Sequence, residues 1–235
     1  MPILIHGGRG LPPIAHGLRA LVDRYPDATL IIAHAGIADL AELARCLSGR
    51  KGVLFDTSTW SPVDLLDFFH RFPPEQVVYA SDYPYGQQPS SLLIAIKTAR
   101  FAGFNDEQLR AMLSGTADAL ADGRPLPEPT TPVGGGSLVQ PLQLARIHQY
   151  LSMSTPLLWS RQADTVGLLG LAINACAERN GYVAPVERIH ELLVTARDLW
   201  QKLPDIEDDT ERRVATRLTF RLIHLADIEA VTTAA

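Results

Sequence analysis

Ile3-Leu4-Ile5-His6 opens a stretch, running to Gly86, in which one pattern occurs four times: a short apolar strand ending on a polar residue able to do chemistry. The other three runs are Thr29-Leu30-Ile31-Ile32-Ala33-His34, Val53-Leu54-Phe55-Asp56 and Val77-Val78-Tyr79-Ala80-Ser81-Asp82. Gly, Ser or Pro follows each run at once or within a few positions, which is how a strand passes into a loop. Between the runs the apolar residues switch to helical spacing, with Leu18, Leu21 and Val22 in the first interval and Leu40, Leu43, Ala44 and Leu47 in the second. Ser61-Pro62-Val63-Asp64 supplies a cap, a first-turn proline and a first-turn acid for a third helix through Leu65, Leu66, Phe68 and Phe69. His6, His34, Asp56 and Asp82 stand roughly 22 to 28 residues apart, the length of one strand–helix unit. Nearly continuous apolar strands joined by helices form a parallel sheet, and crossovers of one hand put the four strand ends on one rim.

Beyond the fourth strand, Leu92 to Phe101 reads as a helix, and Asn105-Asp106-Glu107-Gln108 as a capping box opening another that closes near Ala121. Arg124-Pro125-Leu126-Pro127-Glu128-Pro129 and Pro132-Val133-Gly134-Gly135-Gly136-Ser137 resist both helix and strand, so residues 123–138 are expected to be a linker. The glycine run lacks the lysine and the preceding strand of a phosphate loop, and reads as a flexible connector. Helical patterns follow at about Val139–Met153, Pro156–Asn180, Pro185–Leu203 and Asp208–Val231, divided at Thr155-Pro156, Asn180-Gly181 and Lys202-Leu203-Pro204. The last is expected to pack through Val214, Leu218, Leu222, Leu225 and Ile228. The expected organisation is therefore an α/β unit over residues 1–122 and an all-α unit over residues 139–235.

The 235 residues are 46% hydrophobic and 20% charged, which allows a sizeable core. A formal net charge of −5 and a pI near 5.8, without a basic cluster interleaved with aromatics, disfavour nucleic acid as a partner. The apolar run Thr165–Ala177 is too short to span a bilayer and reads as a buried helix, so no membrane association is expected. Cys46 and Cys176 fall in separate helical patterns without the spacing of a disulfide framework or a thiolate metal site, and a reducing cytoplasm is the simplest setting.

A histidine or carboxylate at the end of a parallel strand is exposed on the face where barrels and open sheets build their sites. Imidazole and carboxylate are natural ligands for zinc or another divalent ion, which lowers the pKa of a coordinated water towards neutrality. His6, His34 and Asp82 together carry this expectation. Asp56, followed by Thr57-Ser58-Thr59, reads instead as a loop cap. Arg9 is a weak candidate for binding a substrate carboxylate, against the plainer reading of a solvated loop arginine. His16, His70, His148, His190 and His224 lie in helical patterns with no metal pair at helical separation and read as structural.

Ile5-His6-Gly7-Gly8, Ile32-Ala33-His34-Ala35-Gly36 and Ala80-Ser81-Asp82-Tyr83-Pro84 resemble the last barrel strands of amidohydrolase-related metal-dependent hydrolases, in the branch that contains decarboxylases. Ser114-Gly115-Thr116-Ala117 resembles the family's closing Gly-Asn-Ala, with Thr116 where Asn is usual. The resemblance spans about Met1 to Ala121 and implies the C-terminal half of a (β/α)8, TIM-like barrel, followed by the helical domain. It implies a divalent metal, expected to be zinc, with His6 and Asp82 as metal ligands. It also implies catalytic roles for Asp82, in proton transfer, and for His34, in assisting catalysis or substrate binding. The expected activity is hydrolysis or decarboxylation of a small-molecule substrate at a C–N, C–O or C–C bond.

The family pattern also places a His-x-His pair on the first barrel strand, and this chain contains no His-x-His. Four parallel strands leave sheet edges that a closed barrel would satisfy, so a further barrel half, a second copy of the chain or the C-terminal helices folding across the open face are expected to cover them. The competing expectation is a catalytically degenerate barrel fragment serving as an interaction or scaffold protein, with the helical region as its partner surface.

Overall fold

The computed structural model describes residues 2–86, 88–135, 140–160, 162, 164–178 and 183–233. Gly136-Ser137 of the glycine run, Val139 at the expected start of the helical region and the Asn180-Gly181 division lie outside these residues. The chain forms two compact units, Met1–Ser137 and Leu138–Ala235.

The first unit is a four-stranded parallel sheet in sequential order, made of β1 (Ile3–Ile5), β2 (Leu30–Ile32), β3 (Val53–Asp56) and β4 (Val77–Val78). Ile3 pairs with Leu30, Leu30 with Val53, and Phe55 with Val77. Helices α1 (Ala15–Arg24), α2 (Leu40–Leu47) and α3 (Pro62–Arg71) cross over between the strands, and α4 (Gln88–Ala102) follows β4. This is half the strand complement of a βα barrel. Ser61 caps α3 by accepting a bond from Asp64 N at 3.2 Å. Asn105 and Gln108 form the reciprocal capping box of α5 (Asp106–Arg110). From there a π-helical turn, Ala111–Gly115, leads into α6 (Thr116–Ala121).

The core of this unit is aromatic. Phe55, Phe68, Phe69 and Phe72 are fully buried, and the rings of Phe55 and Phe72 lie 4.1 Å apart between centroids. Each such burial contributes about 2 kcal/mol or more of transfer free energy. At the end of the sheet away from the strand termini, the buried Gln76 amide ties three segments together. Its Nε2 reaches the carbonyls of Leu47, Arg50 and Val53 at 3.1, 3.1 and 2.8 Å, and its Oε1 accepts from Gly49 N at 2.7 Å. β4 is shorter than the run to Asp82 suggests, because Tyr79 N leaves the ladder and donates to Met112 O of the π turn at 2.8 Å. On the outer edge Ile3 and Leu4 of β1 are 51% and 66% exposed.

Residues 124–135 contain neither helix nor strand, but they are not a loose tether throughout. Thr130 donates from N and Oγ1 to Glu75 at 3.0 and 2.8 Å, and Lys51 pairs with Glu128.

Among the described residues the second unit contains helices and no strand, namely α7 (Leu142–Trp159), α8 (Asp164–Cys176), α9 (Val183–Lys202) and α10 (Asp209–Thr232). Leu144, Ile147, Leu169, Ile189, Leu193 and Ile223 form its fully enclosed centre. Two expectations are corrected. Pro156 does not divide two helices but sits inside α7, where it forfeits one backbone bond while Leu158, 1% exposed, keeps the last turn in the core. The packed face of α10 does not run through Val214 and Leu218, which are 60% and 43% exposed. It runs through Ala215, Thr219, Ile223, Ala226 and Ala230, joined by the expected Leu222, Leu225 and Ile228, and the alanines and Thr219 let the neighbouring helices come close. Among the described residues no helix is long and apolar enough to cross a membrane.

Candidate active site

His6, His34, Asp56 and Asp82 line one cavity of about 740 Å³ at the ends of the four strands, together with Ser58 and Tyr79. The order of strands brings them there, because Asp56 ends its own strand and the other three follow theirs directly or within a few residues. The rings of His6 and His34 meet edge to face with centroids 4.7 Å apart. Gly7 and Gly8 make this approach feasible. A Cβ on Gly7 would fall 2.7 Å from Ala33 O, and one on Gly8 would fall 2.8 Å from His6 Nε2 and 3.2 Å from His34 Cδ2.

His34 and Asp82 share an uncommon backbone. Their φ angles are 58° and 57°, in the left-handed region that costs a non-glycine residue about 1 kcal/mol. Hydrogen bonds offset that cost at His34. Its N donates to Asp56 Oδ1 at 2.8 Å, and its Nδ1 lies 2.7 Å from Ser58 O. A carbonyl only accepts, so Nδ1 carries a proton, and the tautomer this contact selects has its lone pair at Nε2.

Asp56 is 6% exposed and gathers three donors on Oδ1: His34 N, Ser58 N at 3.0 Å and Ser58 Oγ at 2.5 Å. Next in sequence, Thr57 Oγ1 accepts from Ala80 N at 3.1 Å and lies 3.2 Å from Ala80 O, two residues before Asp82. Asp56 thus acts as a loop cap that holds the His34 loop, while the adjacent Thr57 fastens the same strand end to the Asp82 loop. Tyr79 adds a phenol whose pKa burial pushes up, so it stays a hydrogen-bond donor at neutral pH.

Arg9 is not brought into this group. Its guanidinium is 71% exposed and pairs with Asp64 of α3. Thr116, from the closing motif, is fully buried at the start of α6. The role of Ser58 was not visible in sequence; the signal that points to it is the Asp56-Thr57-Ser58 order, in which a carboxylate binds the amide two residues on.

A family model described as Amidohydrolase matches residues 1–120, more than half of the chain. The chain belongs to the amidohydrolase family. No curated protein and no solved structure matches it. The match ends with α6, so it covers the βα unit and leaves the helical unit outside it. The amidohydrolase cavity does not by itself complete a metal centre. Among the described residues, the one set of three His, Cys, Asp or Glu donors within 4.8 Å of one another is His16, Glu42 and Cys46, none of which lines the cavity.

Proposed function

We propose that the βα unit carries one half of the active site of a metal-dependent hydrolase or decarboxylase acting on a C–N, C–O or C–C bond of a small molecule. The observation that carries this reading is the convergence of His6, His34 and Asp82 on one cavity in an amidohydrolase chain. His34, with its proton held at Nδ1 by Ser58 O, accepts a proton at Nε2. The imidazolium so formed donates a hydrogen bond to negative charge developing on the substrate. Asp82 moves a second proton, and the strained backbone at both residues fixes where the two groups stand.

His6 and Asp82 are the proposed metal donors, with zinc as the proposed ion. Catalytic zinc takes three protein ligands as a rule, so two donors do not fit a complete site. The proton movements above run between side chains and substrate alone. The remaining donors are proposed to come from a further barrel half or a second copy of the chain, seated against the exposed edge of β1. Residues 123–138 are the proposed linker to the helical domain. The free thiols Cys46 and Cys176 suit a reducing, cytoplasmic compartment.

The shortage of donors, with Ile3 and Leu4 open on an apolar edge, favours a second reading: a degenerate barrel retained as an interaction module. Metal content and turnover of a panel of amides, esters and carboxylates decide between them. In the first reading Asp82→Ala lowers both metal occupancy and turnover, by about 100-fold or more for the latter. Unchanged occupancy and turnover would remove it and leave the interaction module.

A further inference from the structure

Away from the cavity, α1 and α2 bring a second set of donors together. His16 lies in the first turn of α1, while Glu42 and Cys46 stand one turn apart on α2. His16 Nε2 is 3.5 Å from Glu42 Oε1, and Cys46 Sγ is 3.7 Å from the same oxygen. Zinc bonds run about 2.0–2.1 Å to nitrogen or oxygen and about 2.3 Å to sulfur. The edges of such a tetrahedron are then roughly 3.3 Å between nitrogen and oxygen and roughly 3.5 Å between oxygen and sulfur. These two separations lie within a few tenths of an ångström of those edges, and all three donor atoms lie within 4.8 Å of one another, so side-chain adjustments bring them around one ion.

The two helices are fixed in this relation. Asp39 stands at the N-cap position of α2 but caps no donor of its own helix. Its carboxylate instead accepts from Ala15 N at 3.1 Å, at the residue preceding His16. Buried Ala15, Leu18, Leu43 and Leu47 seat the inner faces of the same pair. The donors therefore sit on a braced helix pair, and His16, its side chain 76% exposed, leaves the group open to solvent.

Arg45 already holds Glu42, donating from Nε to Oε2 at 2.8 Å and from Nη2 to Oε1. A solvent-exposed pair of this kind is weak. An ion taking Oε1 leaves the Nε–Oε2 bond in place, and Arg45 then orients the carboxylate from behind.

We propose that His16, Glu42 and Cys46 form a solvent-facing site for a zinc-class divalent cation, independent of the cavity. An imidazole, a carboxylate and a thiolate favour zinc or cobalt over the oxygen-seeking calcium and magnesium. The thiol proton passes to solvent as the ion binds. The fourth position is left for water or for a donor from another molecule.

Cobalt titration of the full chain tests this, with zinc competition against a chromophoric chelator giving the affinity. The expected result is a thiolate-to-cobalt absorption band that saturates with one equivalent. The band disappears in Cys46→Ser, and zinc affinity falls by at least about 10-fold in His16→Ala and in Glu42→Gln, the lower limit seen even for groups that only support a ligand. The His6→Ala/Asp82→Ala double variant keeps the band and the affinity, which separates this site from the proposed active site. Circular dichroism of each variant confirms folding. A band that survives Cys46→Ser, a wild-type chain with no band, or unchanged zinc affinity in His16→Ala and Glu42→Gln overturns the proposal.

Discussion

The βα unit and the helical unit each hold a histidine through hydrogen bonds to acidic or polar neighbours, and the two arrangements have opposite consequences. In the helical unit His148 Nδ1 lies 2.6 Å from Asp227 Oδ1, and the side chains, 18% and 10% exposed, join α7 to α10. Both partners there are side chains inside a packed bundle. In the βα unit the supporting groups act largely on backbone, with Asp56 holding the amides of His34 and Ser58. The His34 ring lines a cavity while its loop is braced from behind. Polar groups in the first setting join helices, whereas in the second they hold a strained loop against an open cavity. On this contrast a buried carboxylate should be exchangeable together with its partner where it meets one side chain, and not where it satisfies main chain.

The largest test of that contrast is Asp56→Ala. It strands three donors in a buried place and leaves the left-handed conformation of His34 unsupported, so unfolding of the βα unit in denaturant should be easier by about 3 kcal/mol. Asp56→Asn keeps an acceptor at the same position and should recover most of the loss. Equal damage from both substitutions would show that charge, and not backbone satisfaction, is what the rim requires.

In the helical unit Asp227→Ala should cost about 2 kcal/mol, because His148 then loses a partner in a largely closed site. Replacing both groups together, as His148→Leu with Asp227→Leu, should return stability to within about 1.5 kcal/mol of the parent. Denaturant midpoints of the single and double variants check this, and a double variant as damaged as Asp227→Ala would erase the distinction between the units.

How far these features were legible in the sequence follows the same division. The four strands, the alternation with helices and the common rim could be read because apolar runs end on His6, His34, Asp56 and Asp82 at unit-length spacing. The caps at Ser61 and Asn105 were legible because capping is local chemistry. What escaped depends on distant segments. Gln76 gives no sign in sequence that it will collect carbonyls from Leu47, Arg50 and Val53. His16 has no ligand partner within its own helix, and Glu42 and Cys46 reach it only through the packing of α1 on α2. On α10 hydrophobicity points correctly to Leu222, Leu225 and Ile228 but not at Val214 and Leu218, where close helix packing selects the smaller Ala215 and Thr219. Pro156 ends a helix by local rules, yet the core position of Leu158 outweighs one lost bond.

Acid should act on both units through desolvated histidines. Burial lowers the pKa of His224 in the helical unit, opposed by Asp227, and burial lowers that of His70 in the βα unit, opposed by Asp67. A histidine depressed in the folded state takes up its proton first in the unfolded chain. Stability is therefore unaffected well above the ordinary value of 6.5 and declines as pH falls below it, by up to about 1.4 kcal/mol per pH unit for the enclosed His224 and by less for the more exposed His70, where solvent screens the effect. His224→Leu should flatten this decline for the helical unit and leave the βα unit's response intact. Unfolding curves between pH 7.5 and 5.5 check the prediction, and an unchanged slope in the variant would count against it.

The smallest expected change in stability is at Gly8, and it separates support from function most cleanly. Its added Cβ would press on the His6 ring at Nε2 and more gently on His34 Cδ2. His6 is exposed, so the ring turns aside and Gly8→Ala should cost the fold under about 1 kcal/mol. Turning aside, however, breaks the edge-to-face approach of the two histidines and moves His6 relative to Asp82. If the rim exists to place side chains for a ligand, metal occupancy and turnover should fall by about 10-fold or more in a variant whose denaturation curve overlays the parent. If the rim is only a capped loop system, the same substitution changes neither, because no hydrogen bond of Asp56, Thr57 or Ser58 passes through Gly8.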